Sequence, residues 1–292
     1  MNRNYLLIFL AAILWATMIN PTFAQDDSEE DTKAEAATVP EGEQDDVSKA
    51  LDSTATQWSF QFAYQATSWK DDLVNGQPRQ PGLDNFVQAR IVAPLVFDTF
   101  TILPRLTLRH YENERTGKSG IGNTELFGLI IPKSWDWGTG RMGIGPLVTL
   151  PGDEDVARDE WGYGVAGAYV NTSGKWFYGL LLTQSWRAVD PNNLAPGTSD
   201  TNPLGIAPFL NYQLGNGWYV GNGDMVAQYD WDSKKFYMPI GVRFGRVMVS
   251  GKGSWNIYGE VQTSLIYDNW PGSAKDTSVR FNITKTIPVG GL

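Results

Sequence analysis

Apolar and polar residues alternate along most of the chain, and clusters of turn-forming residues separate the alternating runs. In the run DNFVQARIV, the apolar Val87 and Ile91 share one face, whereas Gln88 and Arg90 share the other. A period of two residues is typical of β-strands, whose successive side chains point to opposite faces. The pattern predicts twelve strands: 57–69, 84–95, 99–112, 122–133, 139–150, 161–170, 175–188, 203–214, 217–230, 236–248, 254–268 and 276–287.

The connections between these runs alternate between long and short. The long connections are 70–83, 113–121, 151–160, 189–202 and 269–275, and 231–235 takes a long position but is shorter. The turns between them have only a few residues, as at 96–98 and 215–216. Strands of about ten residues with long loops at one end and short turns at the other are typical of outer-membrane barrels. The sequence therefore predicts an all-β, twelve-stranded antiparallel transmembrane barrel, with ten strands as a fallback. A secreted β-sandwich or soluble barrel is the alternative.

The hairpin around the sequence LGNGWY carries a Gly-Asn-Gly turn, which favours a tight connection between two strands. Read as one unbroken strand, residues 217–230 place Tyr219 and Met225 on the aromatic face and Trp218 and Asp224 on the polar face. In a transmembrane barrel the aromatic face meets lipid and the polar face lines the lumen. We therefore expect Tyr219 outside and Asp224 inside.

Composition supports a membrane barrel and removes several kinds of chemistry. The chain has 37 aromatic residues (12 Trp, 12 Tyr and 13 Phe), and aromatic residues cluster near the predicted strand ends, as in interfacial girdles. It has no cysteine, which excludes disulfides, thiolate nucleophiles and cysteine-bound metals. His110 is the single histidine of the sequence, which excludes histidine-rich metal sites.

The N-terminal part of the chain divides into two segments before the barrel. Residues 1–24 have a positive charge, a short apolar run and small residues before Gln25, which predicts a signal peptide. Residues 25–55 begin with a strongly acidic tract that lacks aromatic residues, which predicts a disordered leader. The barrel is expected over residues 56–292, with both ends of the chain in the periplasm.

Several stretches resemble one family of bacterial outer-membrane proteins. They include GIGNTELFGLIIP, GIGPLVTLPGDEDV, WGYGVAGAYV, GKWFYGLLLTQSWRAV, PFLNYQLGNGWYV and MPIGVRFGRV, in that order. The family is called phenol meta-pathway degradation-like, and some members carry the misleading label neuromedin U. The resemblance implies a small outer-membrane barrel distantly similar to channels for hydrophobic compounds. The leading functional hypothesis is passive, porin-like transport of small hydrophobic or amphipathic molecules across a Gram-negative outer membrane. The alternative is a non-conducting structural or surface-interaction barrel with a plugged lumen.

Charged residues collect on the inward face of the predicted strands. Buried charges are tolerated only when they are paired or hydrated, which leaves two interpretations open. The residues could form a selectivity lining for an anionic or amphipathic solute, or a structural salt-bridge network that fills a closed lumen. The candidate lumen-lining residues are Arg90, Arg105, Arg109, Glu125, Arg187, Asp224, Arg243, Glu260 and Arg280.

The sequence favours a non-enzymatic protein without cofactors. A serine lipase mechanism needs a histidine beside the nucleophile, and no serine lies two residues after His110, where the outer-membrane phospholipase arrangement would put it. Clustered carboxylates in one long loop are weak candidates for Ca²⁺. The expected partners are outer-membrane lipid and lipopolysaccharide and a small hydrophobic or amphipathic solute, without nucleic acid. The weak metal candidates are Asp153, Asp155, Asp159 and Glu160.

Overall fold

The structure is a computed structural model. It describes the backbone of residues 44–74, 77–78, 82–114, 116–157, 160–187, 203–251, 253–270 and 273–289. The predicted signal peptide and residues 25–43 of the predicted leader lie outside the described residues.

Twelve strands form the wall, and three of them are interrupted. A two-residue hairpin (Leu73–Val74 and Gln77–Pro78) decorates the first long loop, and a 3-10 turn (Lys133–Trp135) occupies one short connection. The strands are β1 (Gln57–Trp69), β2 (Gly82–Val92, continued at Leu95–Val96), β3 (Phe100–Asn113), β4 (Lys118–Ile121 and Thr124–Pro132), β5 (Gly140–Leu150), β6 (Gly162–Ser173), β7 (Trp176–Arg187), β8 (Pro203–Gly215), β9 (Trp218–Gly221 and Ala227–Asp230), β10 (Lys235–Ser250), β11 (Gly253–Ile266) and β12 (Lys275–Pro288).

The sheet is closed and antiparallel throughout. Each strand pairs with its neighbours in the chain, and β1 pairs with β12 from Gln57 opposite Pro288 to Thr67 opposite Ser278. A closed sheet has no free edge, so its backbone polar groups are satisfied even in lipid. The prediction of a twelve-stranded antiparallel barrel is confirmed, and the sandwich and the ten-stranded fallback are wrong.

The two faces of the wall differ as the alternation predicts. In β11, the side chains of Val261 and Leu265 are about half exposed on the outside, at 47% and 53%, whereas Glu260 and Gln262 are buried on the inside. Outward-facing aromatic side chains also stack on each other, as Trp218 does on Phe244. An apolar exterior around a polar interior is the arrangement that a bilayer requires of a transmembrane barrel.

One strand departs from the predicted alternation. The four residues 207–210 of β8 lie opposite five residues of β9, 222–226, so β9 contains a one-residue bulge. An extra residue moves every later side chain to the other face. Residues before and after the bulge therefore do not share one parity, and the expectation that Tyr219 faces lipid is wrong. Tyr219 is fully buried and its hydroxyl donates to Asn256 Oδ1 at 2.9 Å, while Trp218 faces outward.

A short helix, α1 (Asp46–Leu51), lies inside the barrel near the short turns. Asp45 caps it, accepting a hydrogen bond from the backbone N–H of Ser48 at 2.9 Å. Val47, Ala50 and Leu51 share one face of the helix, which packs against the inward side chains of β9, β10 and β11. Within the described residues, no helix is long and apolar enough to cross a membrane.

The predicted disordered leader needs a correction at its end. The last twelve residues of the leader, 44–55, are ordered and lie in the lumen, enclosed by the barrel wall. Composition alone did not predict that this segment is ordered. Its polar side chains form hydrogen bonds inside the lumen, and its few apolar residues pack there. We call residues 44–55 the plug segment.

Candidate functional site

The inner surface of the barrel has an apolar side formed by β2 to β7. These strands turn aliphatic, aromatic and small residues inward, opposite in parity to their lipid-facing residues. This surface is defined here as the apolar wall. Its members are Val92, Leu103, Phe127, Leu129, Ile131, Leu147, Ala166 and Ala168, with Leu181 packed against them.

The opposite side of the lumen is polar and charged. Here β11, β12 and β1 turn amide and hydroxyl side chains inward, and arginines from β2, β3, β10 and β12 reach toward three carboxylates. A lumen with one apolar and one charged side can contact both parts of an amphipathic molecule. The lumen charge cluster consists of Arg90, Arg105, Arg243, Arg280, Glu125, Asp224 and Glu260.

Asp224 is the centre of this cluster. It lies in the β9 bulge, and bulges characteristically redirect a side chain. Its carboxylate oxygens lie 3.5 Å from Arg280 Nη2, 3.9 Å from Arg90 Nη1 and 4.0 Å from Arg243 Nη2. Arg90 belongs to β2, nearly across the barrel from β9, so this contact bridges the lumen.

Glu260 is the most buried carboxylate of the cluster, with a side chain only 1% exposed. Its Oε2 accepts hydrogen bonds from Arg243 Nη2 and Nε at 3.1 and 3.3 Å and from the backbone N–H of Asp224 at 2.8 Å. Its Oε1 accepts a hydrogen bond from Gln262. Glu260 thus fixes both Arg243 and the bulge that carries Asp224, and Arg243 also stacks on the ring of Tyr258, 4.0 Å from its centroid.

Arg105 lies at the border between the apolar wall and the charge cluster. Its guanidinium stacks on the ring of Phe127 at 4.3 Å, and its Nη2 lies 3.6 Å from Glu125 Oε1. Its Nε is buried and has no hydrogen-bond partner among the described residues. Arg109 lies further along β3, where its Nε donates to Gln88 Oε1 at 3.0 Å, and it makes none of the ion pairs of the cluster.

The plug segment lies in the lumen at the short-turn end and contacts the wall on more than one side. Arg141 of β5 holds it from one side, with Nε 3.8 Å from Asp52 Oδ2 and Nη1 donating to the Thr54 carbonyl at 3.4 Å. Gln213 of β8 donates from its Nε2 to both carboxylate oxygens of Asp45 and to Ser48 Oγ, at 2.9–3.2 Å. Contacts with separate sides of a closed barrel are possible only from within the lumen.

A cavity of about 130 Å³ lies between the plug segment and the charge cluster. Its floor is residues 50–53 of the plug segment, and charged and apolar side chains of the barrel share its remaining wall. Its lining includes Arg90, Arg105, Val92, Phe177, Leu181, Phe209 and Met225.

The other candidate residues lie apart from the lumen cluster. Arg187 is the last residue of β7, and its side chain lies outside the described part of the chain. In the acidic loop, Asp155 pairs with Lys118 at 2.6 Å and Asp153 accepts a hydrogen bond from the backbone of Ile121, while Asp159 lies outside the described residues. Among the residues described, no group of three or more potential metal ligands comes together.

Some lumen residues were not among the sequence candidates. Gln61 and Gln65 bind Arg90 and Arg280 through their Oε1 atoms, at 3.0 and 3.4 Å. Their inward parity on β1 was a usable signal, but a search for charges passes over amides. The pairing of Asp52 with Arg141 had no usable signal, because nothing in the sequence connects residues 89 positions apart.

Comparisons with known proteins agree with the fold. No protein-family model matches the chain. No curated protein sequence matches it. Among solved structures, it is similar to the COG4313 outer membrane channel from Pseudomonas putida F1, with a TM-score of 0.63 and 15% identity over 80% of this chain and 96% of that chain. The chain therefore has the fold of outer-membrane β-barrels, and the family name suggested by the sequence stretches stays a prediction.

Weaker similarities include an enzyme and a porin. Outer membrane phospholipase A from Escherichia coli has a TM-score of 0.44 and 10% identity over 84% of this chain and 98% of that chain. A mutant Rh. blastica porin has a TM-score of 0.26 and 9% identity over 79% and 99%.

The phospholipase requires one correction. The expectation from the sequence was that the chain is not an enzyme, and that expectation is overturned because an enzyme stands among the barrels to which the chain is similar. Similarity at this level assigns no activity to this chain. The exclusion of enzymes is therefore withdrawn.

Proposed function

We propose that this protein is a bacterial outer-membrane channel through which small amphipathic or hydrophobic molecules pass passively. The observation that carries the proposal is the unlike pair of lumen surfaces, with the apolar wall facing the lumen charge cluster. Binding sites that combine an apolar lining with a few placed polar groups suit amphipathic ligands. The exposed apolar exterior supports outer-membrane lipid and lipopolysaccharide as its surroundings.

The similarity to a structure described as an outer membrane channel supports the same proposal. The two chains share the barrel fold along nearly the whole length of the solved structure. A fold alone does not determine function, and the two unlike surfaces of this chain's lumen therefore carry the proposal.

Passage requires the plug segment to move. Its observed backbone hydrogen bonds, for example from Lys49 to Asp45 and from Asp52 to Ser48, lie within the segment or at its junction with β1. Side chains provide the polar contacts described between the segment and the rest of the wall. A six-residue helix is marginal without packing, so the segment can leave the lumen without breaking the barrel ladder.

A non-conducting structural barrel is the second candidate. Two observations favour it: Asp224 bridges the lumen to Arg90, and the plug segment fills one end. Both features obstruct the lumen, and the two candidates differ in whether the obstruction is reversible.

Liposome swelling tests the proposal. We expect liposomes that contain the full chain to swell faster than protein-free liposomes in isosmotic phenylalanine, because the ring and the zwitterion suit the two surfaces of the lumen. Leu181→Gln, in the apolar wall, should slow swelling in phenylalanine more than in serine. Leu182→Gln is the matched control, since the neighbouring side chain faces outward.

Swelling no faster than in protein-free liposomes, for both the full chain and a chain without the plug segment, would contradict the proposal and favour the structural barrel. Equal effects of the two leucine substitutions would show that the apolar wall does not contact the solute.

A further inference from the structure

We propose that the cavity above the plug segment is a binding site for a small monocarboxylate whose apolar part is about the size of a single ring. This inference deepens the proposed function, because it assigns a ligand class to the same lumen. It would place a solute in the lumen between the arginines and the apolar wall.

The lumen charge cluster has unequal numbers of positive and negative side chains. It contains four arginines and three carboxylates, so one positive charge remains in excess among the cluster residues. The carboxylates are already engaged, since Glu260 binds Arg243, Glu125 pairs with Arg105 and Asp224 is shared. A mostly buried excess cation is unfavourable unless an anion or water reaches it, so the site favours an incoming anion.

Two arginine side chains of the cluster line the cavity. Arg105 lines the cavity, and its buried Nε has no hydrogen-bond partner within the described part of the chain. Arg90 lines the same cavity with its side chain 13% exposed. Guanidinium groups match carboxylates in geometry and form strong charge-assisted pairs with them. A carboxylate between the two arginines would pair with both guanidinium groups.

The rest of the cavity is small and partly apolar. Val92, Phe177, Leu181, Phe209 and Met225 form its apolar part. The cavity has about 130 Å³, and apolar protein cavities of about 150 Å³ bind benzene. The space therefore suits one ring or a short chain attached to the carboxylate.

The test uses three probes that separate charge from apolar volume. Calorimetric titration of the full, folded chain in detergent would use benzoate, which has both parts, benzyl alcohol, which keeps the ring without the charge, and acetate, which keeps the charge without the ring. We expect benzoate to bind roughly tenfold or more tightly than either partial probe, because a charge-assisted hydrogen bond and the ring contacts each contribute on that scale.

Substitution then places the site. Arg105→Gln should weaken benzoate roughly tenfold and leave benzyl alcohol unchanged. Arg246→Gln is the matched control, because Arg246 is exposed beside the outward-facing Trp218 ring and should have no effect. Heat-resistant migration of each variant on gels checks that it is folded, and the three-probe comparison on the unaltered chain stands even if a variant fails to fold.

Equal affinity for benzoate and benzyl alcohol would overturn the inference and leave only an apolar pocket. Absence of benzoate binding, or benzoate binding that Arg105→Gln leaves unchanged, would overturn it as well. These outcomes are separate from the proposed function, because liposome swelling can succeed when the titration fails.

Discussion

Replacing Glu260 with glutamine is expected to destabilise the folded barrel by about 3–5 kcal/mol, the typical cost of breaking a buried ion pair. Glutamine keeps the shape of the side chain but removes its charge. Arg243 would then depend on Asp224, which is 4.0 Å away and already serves two other arginines. Urea unfolding in detergent, followed by tryptophan fluorescence, measures the change.

Glu125→Gln provides the matched control for this prediction. Glu125 also faces an arginine, but its side chain is 29% exposed and the ion pair is longer, at 3.6 Å. Partly hydrated ion pairs contribute about 1 kcal/mol or less. Equal losses for the two substitutions would mean that the burial of Glu260 does not strengthen its ion pair with Arg243.

Deleting residues 44–55 is expected to convert a mostly closed barrel into one with long-lived current steps in planar bilayers. The plug segment covers the floor of the lumen cavity, and no strand of the wall depends on it for backbone pairing in the described structure. Arg141→Gln should give the same effect in weaker form, because Arg141 binds the segment at Asp52 and Thr54.

Arg246→Gln, at the same end of the barrel but on its exposed face, should leave the current unchanged. If the deletion variant folds and its current equals that of the full chain, the plug segment is not a closure. Loss of the folded barrel on deletion would instead show that the segment is part of the core.

The barrel itself was predictable because lipid imposes a simple rule on every strand. Wherever one face meets hydrocarbon and the other meets a lumen, side chains must alternate, and the alternation of Val261 with Glu260 survives in the structure. The first predicted strand, 57–69, agrees with β1 at both ends. Long loops and short turns then fix the antiparallel order.

The alternation failed where the backbone inserts an extra residue. The sequence of residues 217–230 predicts one continuous strand and gives no clear signal of a bulge. In the structure, Gly223 adopts a positive φ of 80° within the bulge. Asn222 holds the bulge by bonding back to β8, where its Nδ2 donates to the Pro208 carbonyl at 2.9 Å. The prediction placed Asp224 inside, as in the structure. It used the alternation of a continuous strand, however, and the same alternation placed Tyr219 on the wrong face.

The plug segment was missed for a different reason. A polar, acidic composition predicts disorder when a segment stands alone, but residues 44–55 are enclosed by a wall that supplies Arg141 and Gln213 as partners. The hydrophobic spacing of Val47, Ala50 and Leu51 was a weak helix signal. It became decisive only with Tyr219 and Tyr258 beside it.

Ion selectivity tests most directly whether the lumen is the path. In a potassium chloride gradient, the channel without residues 44–55 should prefer anions, because arginines outnumber carboxylates in the lumen charge cluster. Its reversal potential should shift toward the equilibrium potential of K⁺ when Arg90→Gln and Arg105→Gln are combined. A reversal potential unchanged by the two substitutions, or no current from a well-folded barrel, would contradict the proposal that molecules cross through this lumen.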